Sequence, residues 1–170
     1  MDVASINSFE NASEIRVLRQ LAKGRCVLEV GTFHGFSAVL MARAGALRVH
    51  AVDWHRGGAE LGEIDTLGEC WANLERFGVR DQVVLHVGRS EVVLPLLARH
   101  SFDLAFIDGG HERAPDDTAL VLPLVKPGGL VAWHDKDGWA VPRAIATAAA
   151  LLGVTPTYPG GSLAVVRLPR

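Results

Sequence analysis

The sequence predicts an α/β fold: a single doubly wound, mostly parallel sheet with helices on both faces and a C-terminal antiparallel hairpin. Three observations lead there. Short apolar runs alternate with longer segments of helical periodicity, the pattern of successive βα units. The first run, Val27-Leu28-Glu29-Val30, breaks at Gly31 and Gly35 and passes straight into a helix of small and apolar residues. Near the end, two extended stretches flank Pro159-Gly160-Gly161, a turn composition that joins neighbouring antiparallel strands.

In order along the chain, residues 12–22 read as a helix, with Ile15, Leu18 and Leu21 on one side and Gly24 as its stop. Residues 26–30 form the first strand and 35–44 the helix after it. A second strand over 49–53 leads into a flexible loop, Arg56-Gly57-Gly58-Ala59-Glu60, and a helix over 64–77. The third strand spans 82–87, followed by a short helix over 91–99 with Pro95 inside its pattern. The fourth strand covers 102–107. A helix over 117–125 is ended by Lys126-Pro127-Gly128-Gly129, and 130–133 is the fifth strand. Pro142 suits the first turn of a helix reaching Leu152. The tail, 155–158 and 162–168, is the hairpin.

The chain of 170 residues is expected to be one domain, an N-terminal helical segment (1–24) followed by an α/β core (25–170). Such a length buries about two-thirds of the unfolded surface. A hydrophobic content of 49% with a net charge of −2 describes a globular chain, and the scattered Lys and Arg exclude a nucleic-acid patch. No apolar run approaches the roughly 20 residues that cross a membrane, and the N-terminus lacks a signal-peptide pattern, so a cytoplasmic location is expected. Cys26 and Cys70 read as small buried apolar residues, not as a disulfide or metal pair.

Function is written at the strand ends, where open α/β sheets bind ligands. Gly31 and Gly35 let the backbone approach a ligand, and the helix that follows offers free N–H groups to an anionic group. The second strand ends on Asp53, the usual place for a carboxylate that holds a ribose. Together these indicate a nucleoside-type cofactor. The spacing Gly31-x-x-x-Gly35 departs from the G-x-G-x-x-G of nicotinamide enzymes. The fourth and fifth strands end in Asp108-Gly109-Gly110-His111 and His134-Asp135, which puts four ionisable groups at one rim of the sheet.

The string EVGTFHGFSAVLMA, followed by AVDWH, resembles the S-adenosylmethionine site of class I methyltransferases, closest to the small O-methyltransferases of the catechol and caffeoyl-CoA type and related natural-product enzymes. The resemblance covers almost the whole chain. It implies a Rossmann-like sheet of seven strands with an antiparallel last strand, and methyl transfer to a hydroxyl of a small molecule, such as a secondary metabolite or a sugar. For the cofactor it implies that Gly31, Phe33 and Gly35 shape the turn, that Ser37 holds the methionine carboxylate, and that Glu29 faces the ammonium group. Asp53 would accept the ribose hydroxyls, Ser90 and Glu91 would meet the adenine edge, and Trp54 and His55 would flank the ring. Ser90 also reads as the N-cap of its helix. At the chemical end the resemblance implies metal ligation by Asp108, His134 and Asp135, with Asp108 also beside the cofactor and His111 as the base that takes the acceptor's proton.

One departure leaves the metal open. The metal-dependent relatives mostly use oxygen ligands, whereas His134 offers nitrogen, which suits Mn, Fe or Zn at least as well as Mg. The alternative is a metal-independent transfer, to nitrogen or carbon, with His111 or His134 as an unaided base. A non-catalytic regulatory domain that binds S-adenosylmethionine is a third reading. Asp116 and Asp117 read as helix caps, and Trp139 as a wall of the acceptor pocket or a core residue. Without a long insertion, cover for the acceptor site is expected from residues 1–12 or a second subunit, and a homodimer fits the apolar content.

Overall fold

The computed structural model describes residues 5–6, 11–58 and 62–170. Its elements run α1 (Ala12–Ala22), β1 (Cys26–Val30), α2 (Phe36–Arg43), β2 (Arg48–Asp53), β3 (Gly57–Gly58), β4 (Gly62–Glu63), α3 (Leu67–Arg76), β5 (Val83–Val87), α4 (Ser90–Val93), β6 (Phe102–Ile107), α5 (Ala114–Val121), β7 (Val125–Trp133), α6 (Val141–Leu152), β8 (Thr157–Gly160) and β9 (Leu163–Arg167). The main sheet has seven strands in the order β5-β2-β1-β6-β7-β9-β8. The pairs from β5 to β7 are parallel, and β9 runs antiparallel to both β7 and β8. The expected doubly wound sheet and its terminal hairpin are therefore present.

Alternation along the strands builds a core on each face. Val27, Val49, Ala51, Leu104, Phe106 and Ala132 pack against α1, α2 and α3. Leu28, Val30, Val52, Ala105, Ile107 and Val131 pack against α5 and α6 on the other side. From β1 the strand order steps outward to β2 and β5, and in the opposite direction from β6 to β7. The crevice at that reversal is where an open sheet of this kind takes its ligand.

Several boundaries differ from expectation for local reasons. The helix expected over 91–99 ends at Val93 and continues as a 3-10 turn, Leu94–Leu96, because Pro95 supplies no N–H. α5 begins at Ala114, three residues before the expected Asp117, with Pro115 in its first turn and a 3-10 turn, His111–Arg113, leading in. Lys126-Pro127-Gly128-Gly129, expected as a stop, belongs to the start of β7, where the pairing with β6 shifts register between Phe102 and Leu104. Pro159 and Gly160, expected in the turn, end β8. Within the expected loop after β2, Gly57–Gly58 pairs antiparallel with Gly62–Glu63; residues 59–60 of that expectation lie outside the described residues, as do 1–4 and 7–10 of the expected cover. No described helix is long and apolar enough to cross a membrane. Cys70 is buried and Cys26 partly so, both as free thiols, and burial pushes Cys70 up to about 12.

His50 and His86, on neighbouring strands β2 and β5, stack with ring centroids 5.3 Å apart and bring Nδ1 and Nε2 to 3.0 Å. Burial lowers the pKa of both below the ordinary 6.5, and for His50 the neighbouring His86 lowers it further. The unfolded chain takes up protons near pH 6.5 that these folded imidazoles refuse, so their contribution is present above that pH and is lost below it. Lowering the pH from about 7.5 to 5.5 should therefore lower the urea midpoint, and His50→Gln/His86→Gln should show a smaller loss. Equal losses in the two proteins would contradict the assignment.

Candidate active site

A cleft of about 590 Å³ opens at the C-terminal ends of β1, β2, β6 and β7. Its floor is set where β1 and β6 end. Gly31 has φ +90°, and a Cβ there would fall 2.3 Å from the carbonyl oxygen of Asp108. Only glycine permits this approach, and the sheet ladder extends through it by Gly31 N–H to Val52 O (2.9 Å) and Asp108 N–H to Val30 O (2.8 Å).

Asp53 holds the turn above that floor. Its Oδ2 accepts from the backbone N–H groups of Thr32 (2.6 Å) and Phe33 (2.7 Å), and its Oδ1 from His55 N–H (2.6 Å). Phe33 and His55 have φ of 50° and 54°, a conformation that costs a non-glycine residue about 1–3 kcal/mol unless its surroundings hold it. The same carboxylate restrains both. Each of its oxygens has about two lone-pair sites, so Oδ2 is filled and Oδ1 keeps room for one donor from the cleft. The turn leads into α2 through Gly35, and Ser37 lies buried in the helix's first turn beside the cleft.

On the opposite wall, the Arg89 guanidinium lies 4.7 Å from the ring centre of the half-exposed Trp54. The Ser90 hydroxyl donates to Asp117 Oδ1 at 2.5 Å. The N-cap of α4 is Arg89, so Ser90 is not the cap. Asp117 is buried, and burial raises its carboxyl pKa against the opposing bond from Ser90. Arg113 Nη2 donates to Glu91 Oε2 at 3.0 Å.

The remaining wall is a knot of acids around one imidazole. His134, 5% exposed, directs Nδ1 at Asp108 Oδ1 (3.2 Å) and Asp135 Oδ2 (3.1 Å), and Nε2 at Glu14 Oε2 (3.4 Å). His111 Nε2 lies 3.0 Å from the same Asp135 oxygen. Burial works against a charge on His134, but Asp108 and Asp135 outweigh it and push its pKa up to about 11. His134 in turn draws Asp135 down to about 2, with burial opposing and His111 assisting. Asp108 is raised: its burial outweighs the attraction of His134. Asp135 has φ 49°, a third strained residue at this rim.

The cleft thus gathers Gly31, Phe33, Ser37, Asp53, Trp54, Ser90, Glu91, Asp108, His111, His134 and Asp135. Glu29 and Gly35 do not line it. Glu29 is fully buried beneath the turn, its Oε2 accepting from Thr32 Oγ1 at 2.9 Å, and Gly35 packs against Cys70. His55 is buried, with Nδ1 2.8 Å from Thr66 Oγ1, and Trp139 is 80% exposed and outside the cleft lining. Glu14 and Asp117 are the functional candidates that sequence reasoning missed. The pattern Asn11-x-x-Glu14 signals a capping box, which it forms, and gives no hint of His134. Asp117 carried the signature of a helix start, which concealed its burial against Ser90.

The chain belongs to the methyltransferase domain family, which matches residues 28–136. Among individual relatives it is similar to a catechol O-methyltransferase from Mycobacterium tuberculosis, at 33% identity over 73% of this chain and 54% of that one. It is also similar to caffeoyl-CoA O-methyltransferase 1 from Eucalyptus globulus, at 26% identity over 75% of this chain and 51% of that one. The chain spans about half the length of the curated relatives it matches. In structure it is similar to the O-methyltransferase TomG from Streptomyces achromogenes in complex with SAM, with a TM-score of 0.73, 25% identity, and coverage of 95% of this chain and 82% of that one.

Gly31→Ala should destabilise the fold by about 2–6 kcal/mol, the sum of a positive-φ cost and overpacking against Asp108. Denaturant unfolding checks this. A change under about 1 kcal/mol would show that the two strand ends separate freely.

Proposed function

We propose that this cleft binds S-adenosylmethionine and that the chain transfers its methyl group to a hydroxyl oxygen of a small molecule. The observation that supports this most is the placement of the Asp53-held turn and the Asp108–His111–His134–Asp135 knot on one cleft. The first provides for a ribose and a methionine carboxylate, and the second for an acceptor hydroxyl. A ribose hydroxyl donates to Asp53 Oδ1, the adenine lies along Trp54 and Ser90, and the methionine carboxylate meets the first turn of α2 near Ser37. In the transfer the acceptor's O–H proton passes to His111, the new O–CH3 bond forms as the S–CH3 bond breaks, and S-adenosylhomocysteine leaves. Orientation of donor and acceptor supplies the largest share, up to about 7–11 kcal/mol.

Two carboxylates converging on one ring nitrogen are favourable only when a positive charge lies between them. At Asp108, His134 and Asp135 that charge is a proton on Nδ1 or a divalent cation, and the donor atoms, within 4.8 Å of one another, fit either. The nitrogen donor suits Mn, Fe or Zn at least as well as Mg. A divalent cation held there would lower the pKa of an acceptor hydroxyl and fix its position. Asp135 would then serve both functions, as ligand and as the carboxylate that orients His111.

Catechol, the acceptor named for one relative, is a practical probe. His111→Ala should bind S-adenosylhomocysteine within about twofold of wild type by calorimetry and lose about 10²–10⁴-fold in methyl transfer. EDTA should abolish transfer while leaving S-adenosylhomocysteine bound. Transfer that survives EDTA would remove the metal from the proposal, and failure to bind S-adenosylhomocysteine would remove the proposal itself.

A further inference from the structure

Glu14 belongs to the N-terminal helix, before the segment that matches the methyltransferase family, yet it ends inside the catalytic wall. Its side chain is 1% exposed, with directional bonds to Asn11 and Ser162 and an ion-pair contact to His134. Oε2 accepts from Asn11 N–H at 2.7 Å and faces His134 Nε2 at 3.4 Å. Oε1 accepts from both the backbone N–H (2.6 Å) and the hydroxyl (2.8 Å) of Ser162. The Ser162 hydroxyl in turn accepts from Asp135 N–H at 3.3 Å, next to the strained Asp135 backbone. Gly161 makes this possible, since a Cβ there would fall 2.4 Å from Glu14 Oε1. One buried carboxylate thus restrains His134 directly and Asp135 through a single serine.

We propose that Glu14 is a positioning residue for the cation site: it faces the Nε2–H of His134, so that a cation displacing the Nδ1 proton finds that lone pair between Asp108 and Asp135. This rests on the metal reading given above. A carboxylate accepts only, so a proton kept on Nε2 suits the Glu14 side and leaves Nδ1 as the ligating nitrogen. Partners of this kind behind a ligating imidazole typically change metal affinity about 10–100-fold.

Glu14→Gln separates this role from simple packing. An amide has one acceptor oxygen, and if that oxygen stays with Ser162, its NH2 group donates to Nε2 and forces the proton onto Nδ1, where a metal would bind. The probe is Zn2+, titrated by calorimetry against wild type, Glu14→Gln and a His134→Ala reference. In the Zn2+-loaded wild type, 15N NMR should show the His134 proton on Nε2. Glu14→Gln should raise the Zn2+ dissociation constant at least tenfold and lose that signal, with S-adenosylhomocysteine affinity within twofold of wild type. Unchanged Zn2+ affinity in both Glu14→Gln and Glu14→Ala, the second leaving no oxygen to face Nε2, overturns the role of Glu14 and leaves the metal reading standing. A wild type that binds S-adenosylhomocysteine but shows no Zn2+ binding beyond His134→Ala overturns both the metal reading and this inference, and leaves the methyltransferase reading intact. Should Glu14→Gln not fold, Ser162→Ala removes the hydroxyl that donates to Glu14 Oε1 and accepts from Asp135 N–H, while Glu14 keeps the Ser162 and Asn11 N–H groups. This substitution should raise the dissociation constant several-fold, and an unchanged value overturns the proposal.

Discussion

The contact between the Gly31 backbone and the Asp108 carbonyl is the constraint on which the site depends. With no Cβ between them, β1 and β6 end at the same height and so close together that the two halves of the cleft have a fixed separation. The turn that Asp53 holds begins at Gly31, and the acid-imidazole knot begins at Asp108. On the proposed function, a methyl donor on one side and an acceptor on the other would be brought to a distance that neither loop could set alone. Rigid strand ends also explain how Phe33, His55 and Asp135 can carry positive φ values without the loops relaxing away.

Electrostatically the two halves are built differently. Asp53 is balanced by backbone N–H dipoles, so its charge is held without a cationic side chain. On the other side Glu14, Asp108 and Asp135 surround a single His134, and their mutual repulsion is relieved only by positive charge on or beside that ring. The donor set of the knot suits a cation, and on the proposed function a cationic methyl donor approaching it would meet a wall of complementary sign.

Much of this was legible in the sequence because it is local. Gly31, Gly35 and Asp53 are joined by strand-turn-helix geometry that short-range rules describe, and the sheet follows from alternating apolar runs. The strand-terminal Asp108, His134 and Asp135 were legible for the same reason. The parts that were not legible are long-range or masked by a local role. Glu14 spells a capping box and is one, so nothing local reports its second set of partners. Asp117 sits where acids favour a helix start. Glu29 looked like a ligand because its strand leads to the site, but the period-2 alternation of β1 turns it onto the α1–α3 face, under the turn and away from the cleft. The proline and glycine segments misled at boundaries because register irregularities in the β6–β7 and β8–β9 pairings absorb them.

The bond from Ser162 to Glu14 joins residues 148 positions apart. During synthesis the strands that carry the cofactor turn are complete long before that serine leaves the ribosome. The cofactor half of the cleft can therefore order first, while the catalytic wall waits for the last hairpin to arrive and trap the first helix. Contacts of such high sequence separation form late because the chain between them must first be ordered.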